Sequence, residues 1–225
     1  MDIIFTDVTG ANLEKPKPAS SYIPDWYKDM ESYVGGSKKP IHGTTGGTIK
    51  KCIPVFDAIT SGYIIESPAD IYVSLVQGEQ MFQYSDFGPL NFHSVDQAPT
   101  HPNRTPFSYP KWNNPWSIKT PKGYSTLFIQ PLHRESVFTV FAGVVDTDQY
   151  TAPVNFPFVI NQMTYEGLIP KGTPIVQAIP FRRDSWNSVL GSKKDLDEQS
   201  KVFRKIQSKF FDSYKTMFWS KKEYK

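Results

Sequence analysis

Apolar and polar residues alternate over much of residues 48–181, the period of strands with one buried face. ADIYVSLV places Ile71, Val73 and Leu75 on one side, and YIIESP just upstream reads as the strand before it. The alternation is clearest from Trp116. WSIK and GYSTLFIQP read as strands flanking Thr120, Pro121, Lys122 and Gly123, a proline-containing turn with glycine at its last position. SVFTVFAGVV, PVNFPFVI and GTPIVQAIPF read as three more strands, while TIKKCI and the IIF near the N-terminus have strand-like composition. Trp116, Ile118 and Leu127 are expected on the packed face. Pro153, Pro157, Pro174 and Pro180 favour edges, strand starts and bulges, because proline lacks the ladder N–H. Many short strands without an internal repeat predict a mainly β fold: an antiparallel β-sandwich, jelly roll or small barrel.

Helical spacing is confined to the ends. PDWYKDMESY opens with Pro24 at a first helical position and sets Trp26, Tyr27, Met30 and Tyr33 toward a core. PVFDAITS is a second short helix, stopped by Gly62. Over 195–219, Leu196, Phe203, Phe210 and Met217 recur every seven residues with Ile206 and Tyr214 alongside, which predicts one long amphipathic C-terminal helix. Its stripe of Phe203, Ile206, Phe210, Tyr214 and Met217 is too large to stay bare on a soluble monomer, so it is a candidate partner contact. The chain thus divides into a β-rich domain with an N-terminal extension (1–190) and a basic amphipathic helix (191–225). Residues 77–115 read as a long irregular region. Its Phe107, Tyr109 and Trp112, with Lys111 and the following Trp116, suit a stacking platform for sugar or single-stranded nucleic acid, or a subunit contact, which is preferred.

Composition narrows the function classes. A length of 225 residues suits one all-β domain with appendages, and none of the 19 prolines lies beyond Pro180. Cys52 is the single cysteine, so neither an intramolecular disulfide nor a cysteine-based zinc site can form. MDIIFTDVTG carries acid where a signal peptide needs base, and no run approaches the ~20 apolar residues of a membrane helix. The expectation is a soluble protein of the host-cell cytoplasm or the virion. The net charge of +3 is uneven: residues 191–225 hold ten Lys/Arg against five Asp/Glu, and the rest is slightly acidic. A basic tail is compatible with nucleic acid or an acidic partner, and equally with a solvated helix face. Of His42, His93, His101 and His133, only His133 stands in a His-x-carboxylate arrangement, with Glu135, and no histidine follows it. No metal ligand set is assigned and no cofactor is expected.

Residues 118–181 resemble the dUTPase and dCTP deaminase superfamily. Pro121, Gly123 and Tyr124 match its P-x-G-Y turn; Gly143, Val144, Val145, Asp146 and Asp148 match its GV-[IV]-D-x-D hairpin; Gly172, Ile175 and Gln177 match its GDRIAQL strand. The resemblance implies a jelly-roll fold in which Asp146 activates the attacking water, with magnesium, and Tyr150 packs on the base or sugar. Arg134 and Ser136 would contact phosphate. The chain departs from the family at Glu135, which stands inside the phosphate stretch, and at Gln149, which displaces Tyr150 by one position. The family's glycine-rich closing arm is absent. Through the blocks CIPVFDAITSGYIIESP and WSIKTPKGY, the whole chain is also similar to a family of tailed-bacteriophage proteins with distant bacterial members, which brings no assigned activity. The expectation is a phage-encoded, non-enzymatic binding or assembly protein, forming a homo-oligomer or binding a viral or host protein. The alternative is a metal-dependent nucleotide hydrolase or deaminase-like enzyme using Asp146.

Overall fold

Branched and aromatic residues at alternate positions pair antiparallel throughout. The computed structural model describes residues 1–38, 46–84, 88–209 and 211–225. Among them run the strands β1 (Ile4–Asp7), β2 (Lys17–Pro18), β3 (Tyr63–Glu66), β4 (Ile71–Val76), β5 (Glu79–Tyr84), β6 (Leu90–His93) and β7 (Tyr109–Trp112). They continue as β8 (Trp116–Lys119), β9 (Tyr124–Ile129), β10 (Phe138–Val140), β11 (Gly143–Val145), β12 (Phe156–Ile160), β13 (Gly167–Ile169) and β14 (Pro174–Arg182). The helices are α1 (Asp25–Asp29), α2 (Ile53–Thr60), α3 (Lys193–Gln207) and α4 (Ser213–Met217).

The strands form sheets of order β11-β9-β14-β3-β2, β10-β12-β7-β6, β13-β4-β5 and β1-β8. The architecture is mainly β and antiparallel, and no sheet closes into a barrel among the described residues. Aromatic rings pack between and within the sheets. Phe128 of β9 meets Phe156 of β12 with centroids 5.3 Å apart, and within the β10-β12-β7-β6 sheet Phe158 stacks on Trp112 at 4.8 Å. Trp116 and Ile118 are buried as their alternation predicts, whereas Leu127 is only half-buried and its neighbour Phe128 takes the core position.

The prolines sit where a missing N–H costs little. Pro174 begins β14 at a register shift, and Pro180 pairs with Thr126 beyond the point where β3 has ended. Gly62 turns the chain from α2 into β3 at φ +75°, and a Cβ there would run into the Ala178 carbonyl.

Four expectations need correction. TIKKCI is a single 3-10 turn, Ile49–Lys51, because the Lys50 carbonyl accepts the Tyr27 hydroxyl and its ammonium reaches the Lys28 carbonyl, docking the segment on α1. Residues 77–115 hold β5, β6 and β7, and β4 turns into β5 through Gln77 and Gly78, both at positive φ. Tyr109, Trp112 and Trp116 are core residues, so they form no exposed platform. The long C-terminal helix is broken in two. Asp212 adopts a left-handed φ of 58° and pairs with Lys51 at 2.7 Å, while Phe211 lies edge-on to Tyr33, so contacts with the body override the heptad spacing. The chain after α4 then lies back on the β body, where Trp219 and Lys222 bond Asp57 and Tyr224 meets Tyr63. No helix among the described residues is long and apolar enough to cross a membrane.

Candidate functional site

The turn after β11 carries the carboxylates singled out by their spacing. It is closed by the amides of Gln149 and Tyr150 bonding the Asp146 carbonyl. A buried hydroxyl ladder fixes it beneath: Thr147 shares hydrogen bonds with Thr120 at 2.8 Å and Thr126 at 2.9 Å. The two aspartates differ sharply in setting. Asp148 has 3% of its side chain exposed and is held by two Arg183 nitrogens and by the Gly123 N–H at 2.8 Å. Asp146 is 57% exposed, accepts the Ser125 hydroxyl at 2.7 Å and faces Arg183 Nη1 at 3.0 Å.

The electrostatics follow from those bonds. Arg183 first, and the Gly123 N–H second, hold the Asp148 carboxyl down at about 2. The Ser125 hydroxyl and then Arg183 depress Asp146. A carboxylate so stabilised is a weaker proton acceptor than a free one. The spacing singles out neither Arg183 nor Ser125. The available signal is the Arg182-Arg183 pair at the end of a long strand.

Arg134 and Ser136 lie at the opposite end of β9. Six strand residues put roughly 17–20 Å between the two ends, so one chain brings Asp146 and the exposed Tyr150 together but leaves Arg134 and Ser136 apart from them. The Arg134 loop is well fixed. Its Leu132 N–H donates to Gln177 Oε1 at 3.0 Å, Trp26 Nε1 donates to the His133 carbonyl at 2.8 Å, and His133 sits at φ +56°. The loop borders a cleft of about 710 Å³ that is also lined by Trp26, Gln130, Ser136 and Thr173. Among the described residues Arg134 Nη2 is buried there without a hydrogen-bond partner, and burial lowers the affinity of the guanidinium for its proton. Ser136 Oγ accepts the Phe138 N–H at 3.2 Å.

No three His, Cys, Asp or Glu side chains among the described residues gather to hold a metal ion. His93 bonds Gln97, His101 stacks on Phe141, and His42 lies outside the described residues.

The partner-contact residues divide between two helices. Phe203 is 60% exposed on α3 and Ile206 is half-buried, while Tyr214 and Met217 lie exposed on α4; Phe210 lies outside the described residues. Leu196, 62% exposed, and Val202 complete the α3 stripe, and no residue of α3 is buried.

No protein-family model matches the chain. No curated protein matches it either. Among solved structures it is similar to a glycine-to-serine mutant of the dUTPase of Staphylococcus bacteriophage 80alpha with dUpNHpp. That match covers 59% of this chain and 75% of the other at 13% identity and a TM-score of 0.32. A likeness at that score bears on neither ligand nor chemistry.

Proposed function

We propose that this chain is a non-enzymatic assembly protein, a β-sandwich of the jelly-roll kind that binds a protein partner through α3. One observation carries the reading: Leu196, Val202 and Phe203 form an exposed apolar stripe on a helix none of whose residues is fully buried. Exposed apolar stripes of that kind mark contact surfaces. Self-association fits a chain that supplies its own partner, in host cytoplasm or virion. The test is light scattering on the whole chain and on Phe203→Glu. The reading expects an assembled wild type, a variant of lower mass and unchanged circular dichroism. A monomeric wild type at all accessible concentrations counts against self-assembly.

The second reading is nucleotide binding, favoured by the partnerless Arg134 Nη2 in its cleft. A half-buried guanidinium with one nitrogen lacking an acceptor among the described residues suits a phosphate. Hydrolysis through Asp146 would need magnesium, and Arg183 already sets a cation against Asp146 and Asp148, so these residues do not fit that ion. Calorimetry with dUTP and other nucleotides, with and without magnesium, separates the readings. Binding heat that Arg134→Ala abolishes favours the second, and none across the panel leaves the first.

A further inference from the structure

Lys51, Lys209 and Lys215 line a cleft of about 350 Å³ where the segment before α2 meets α4, together with Tyr33, Phe211 and Asp212. Asp212 is the one carboxylate among the described residues that line it. Lys51 Nζ stands 2.7 Å and Lys38 Nζ 3.8 Å from that carboxylate. The Lys51 ammonium first, with Lys38 and Lys215 behind it, holds the Asp212 carboxyl below its ordinary value against the opposing effect of burial. Four ammonium groups thus gather round one carboxylate, an excess of three positive charges. Among the described residues Lys38 reaches no other carboxylate at ion-pair distance, and Lys209 and Lys215 reach none. Asp57 and Glu223 are paired already, with Lys222 at 2.6 Å and Lys221 at 3.1 Å. The four ammonium groups are also held in place. Lys38 Nζ lies 4.8 Å from the Phe211 ring centroid, Lys51 Nζ 5.4 Å from that of Tyr33 and Lys215 Nζ 5.9 Å from that of Trp219. Lys209 Nζ donates to Thr216 Oγ1 at 3.0 Å. Like charges fixed together in this way cost stability until an anion joins them.

We propose that this cleft binds a diphosphate group, free or carried by a nucleoside. It shares no lining residue with the Arg134 cleft. A diphosphate brings about three negative charges near neutral pH, which matches the excess. No arginine lines the cleft, so nothing there reads a planar carboxylate through two parallel bonds, whereas lysine receives a phosphate as a point charge. The volume lies at the small end of ligand sites, and the rings of Tyr33 and Phe211 wall it for an organic body. Lys38 and Lys51 belong to the N-terminal part of the chain, Lys209 and Lys215 to its C-terminal part. The bound anion therefore bridges the two and fastens α4 to the body.

Calorimetry on the whole chain with pyrophosphate, ADP and citrate tests the site. Pyrophosphate and ADP should bind one to one. Citrate, of similar charge but built of planar carboxylates, should bind at least about tenfold more weakly. Lys209→Gln/Lys215→Gln, at two exposed positions, should weaken pyrophosphate about tenfold or more. Lys193→Gln/Lys194→Gln removes the same charge from the same tail and should leave that affinity unchanged. As a readout that needs no variant, pyrophosphate should slow hydrogen exchange over residues 211–217 of the wild type. A response to pyrophosphate alone or to ADP alone keeps the site and names its source. Equal weakening by the two variants, or citrate binding as tightly as pyrophosphate, would show that a basic tail attracts any anion, and overturns the proposal. Binding without slower exchange places the anion elsewhere and also overturns it. So does a wild type that takes up neither phosphate probe, including one that binds an oligothymidylate strand instead.

Discussion

Arg183 holds Asp148 through two parallel bonds, Nη1 to Oδ1 at 2.8 Å and Nη2 to Oδ2 at 2.5 Å. The partners do not stand equally if the pair is broken. Asp148 is 3% exposed, whereas Arg183 is 31% exposed and keeps Asp146 within reach. Removing the cation strands a shielded carboxylate, while removing the carboxylate leaves a cation that water and Asp146 can serve. Arg183→Ala should therefore lower the melting temperature more than Asp148→Asn. Equal losses in thermal melts would count against this asymmetry.

The same pair sets an acid limit. Asp148 lies at about 2 in the folded chain against an ordinary 3.8, so the folded state favours the charged form. Its stabilising contribution is complete above about pH 4 and is lost as pH falls toward 2. Asp146 and Asp212 are depressed too and act in the same direction. Urea midpoints between pH 5 and pH 2 should fall more steeply in wild type than in Asp148→Asn. Parallel curves would show that Asp148 is not the controlling group.

Much of the β architecture is legible because period-2 alternation is a local signal. Trp116 and Ile118 reach the core as their positions predict. Leu127 does not, because the pleat sets Phe128 on the same side of β9 as Thr126, which joins the threonine ladder, and leaves Leu127 on the other side with Ser125, which bonds Asp146. The hairpin at Gln77 and Gly78 lacks the Asn-Gly signature that marks such turns, which conceals β5 within an apparent loop. The α3 stripe is visible as spacing, but the break at Asp212 depends on Lys51 and Tyr33, more than 150 residues away in sequence. Asp146 stands out by motif alone. Arg183, which decides what Asp146 can do, is placed by the pairing of β14 with β9.

Gln177 ties three segments together from within β14. Its Nε2 donates to the Ala58 and Ser61 carbonyls at 2.9 and 2.7 Å, satisfying oxygens at the end of α2, and its Oε1 receives the Leu132 N–H. Gln177→Leu keeps an apolar stem but leaves all three groups unpaired, at a cost of about 2–4 kcal/mol. Hydrogen exchange should also rise over residues 131–136, which border the Arg134 cleft. A stability change below about 1 kcal/mol would mean that water replaces the amide.

Asp57 is the anchor of the returning C-terminal segment. It accepts Trp219 Nε1 at 3.1 and 3.0 Å and Lys222 Nζ at 2.6 Å, beside the edge-on contact of Tyr224 with Tyr63 at 5.8 Å. Removing residues 195–225 therefore strips a docked segment from the β body along with α3, and mixes lost assembly with lost packing. Asp57→Ala separates the two, because it removes the acceptor and leaves the α3 stripe untouched. It should cost about 1–2 kcal/mol, the worth of a few part-exposed hydrogen bonds. It should speed hydrogen exchange through α4 and residues 218–225 while leaving the β content unchanged by circular dichroism. Asp57→Asn keeps an oxygen for Trp219 but loses the charge that attracts Lys222, so its exchange should fall between those of wild type and Asp57→Ala. Unchanged exchange in Asp57→Ala would show that Tyr63 and the Lys51–Asp212 pair hold the segment without it.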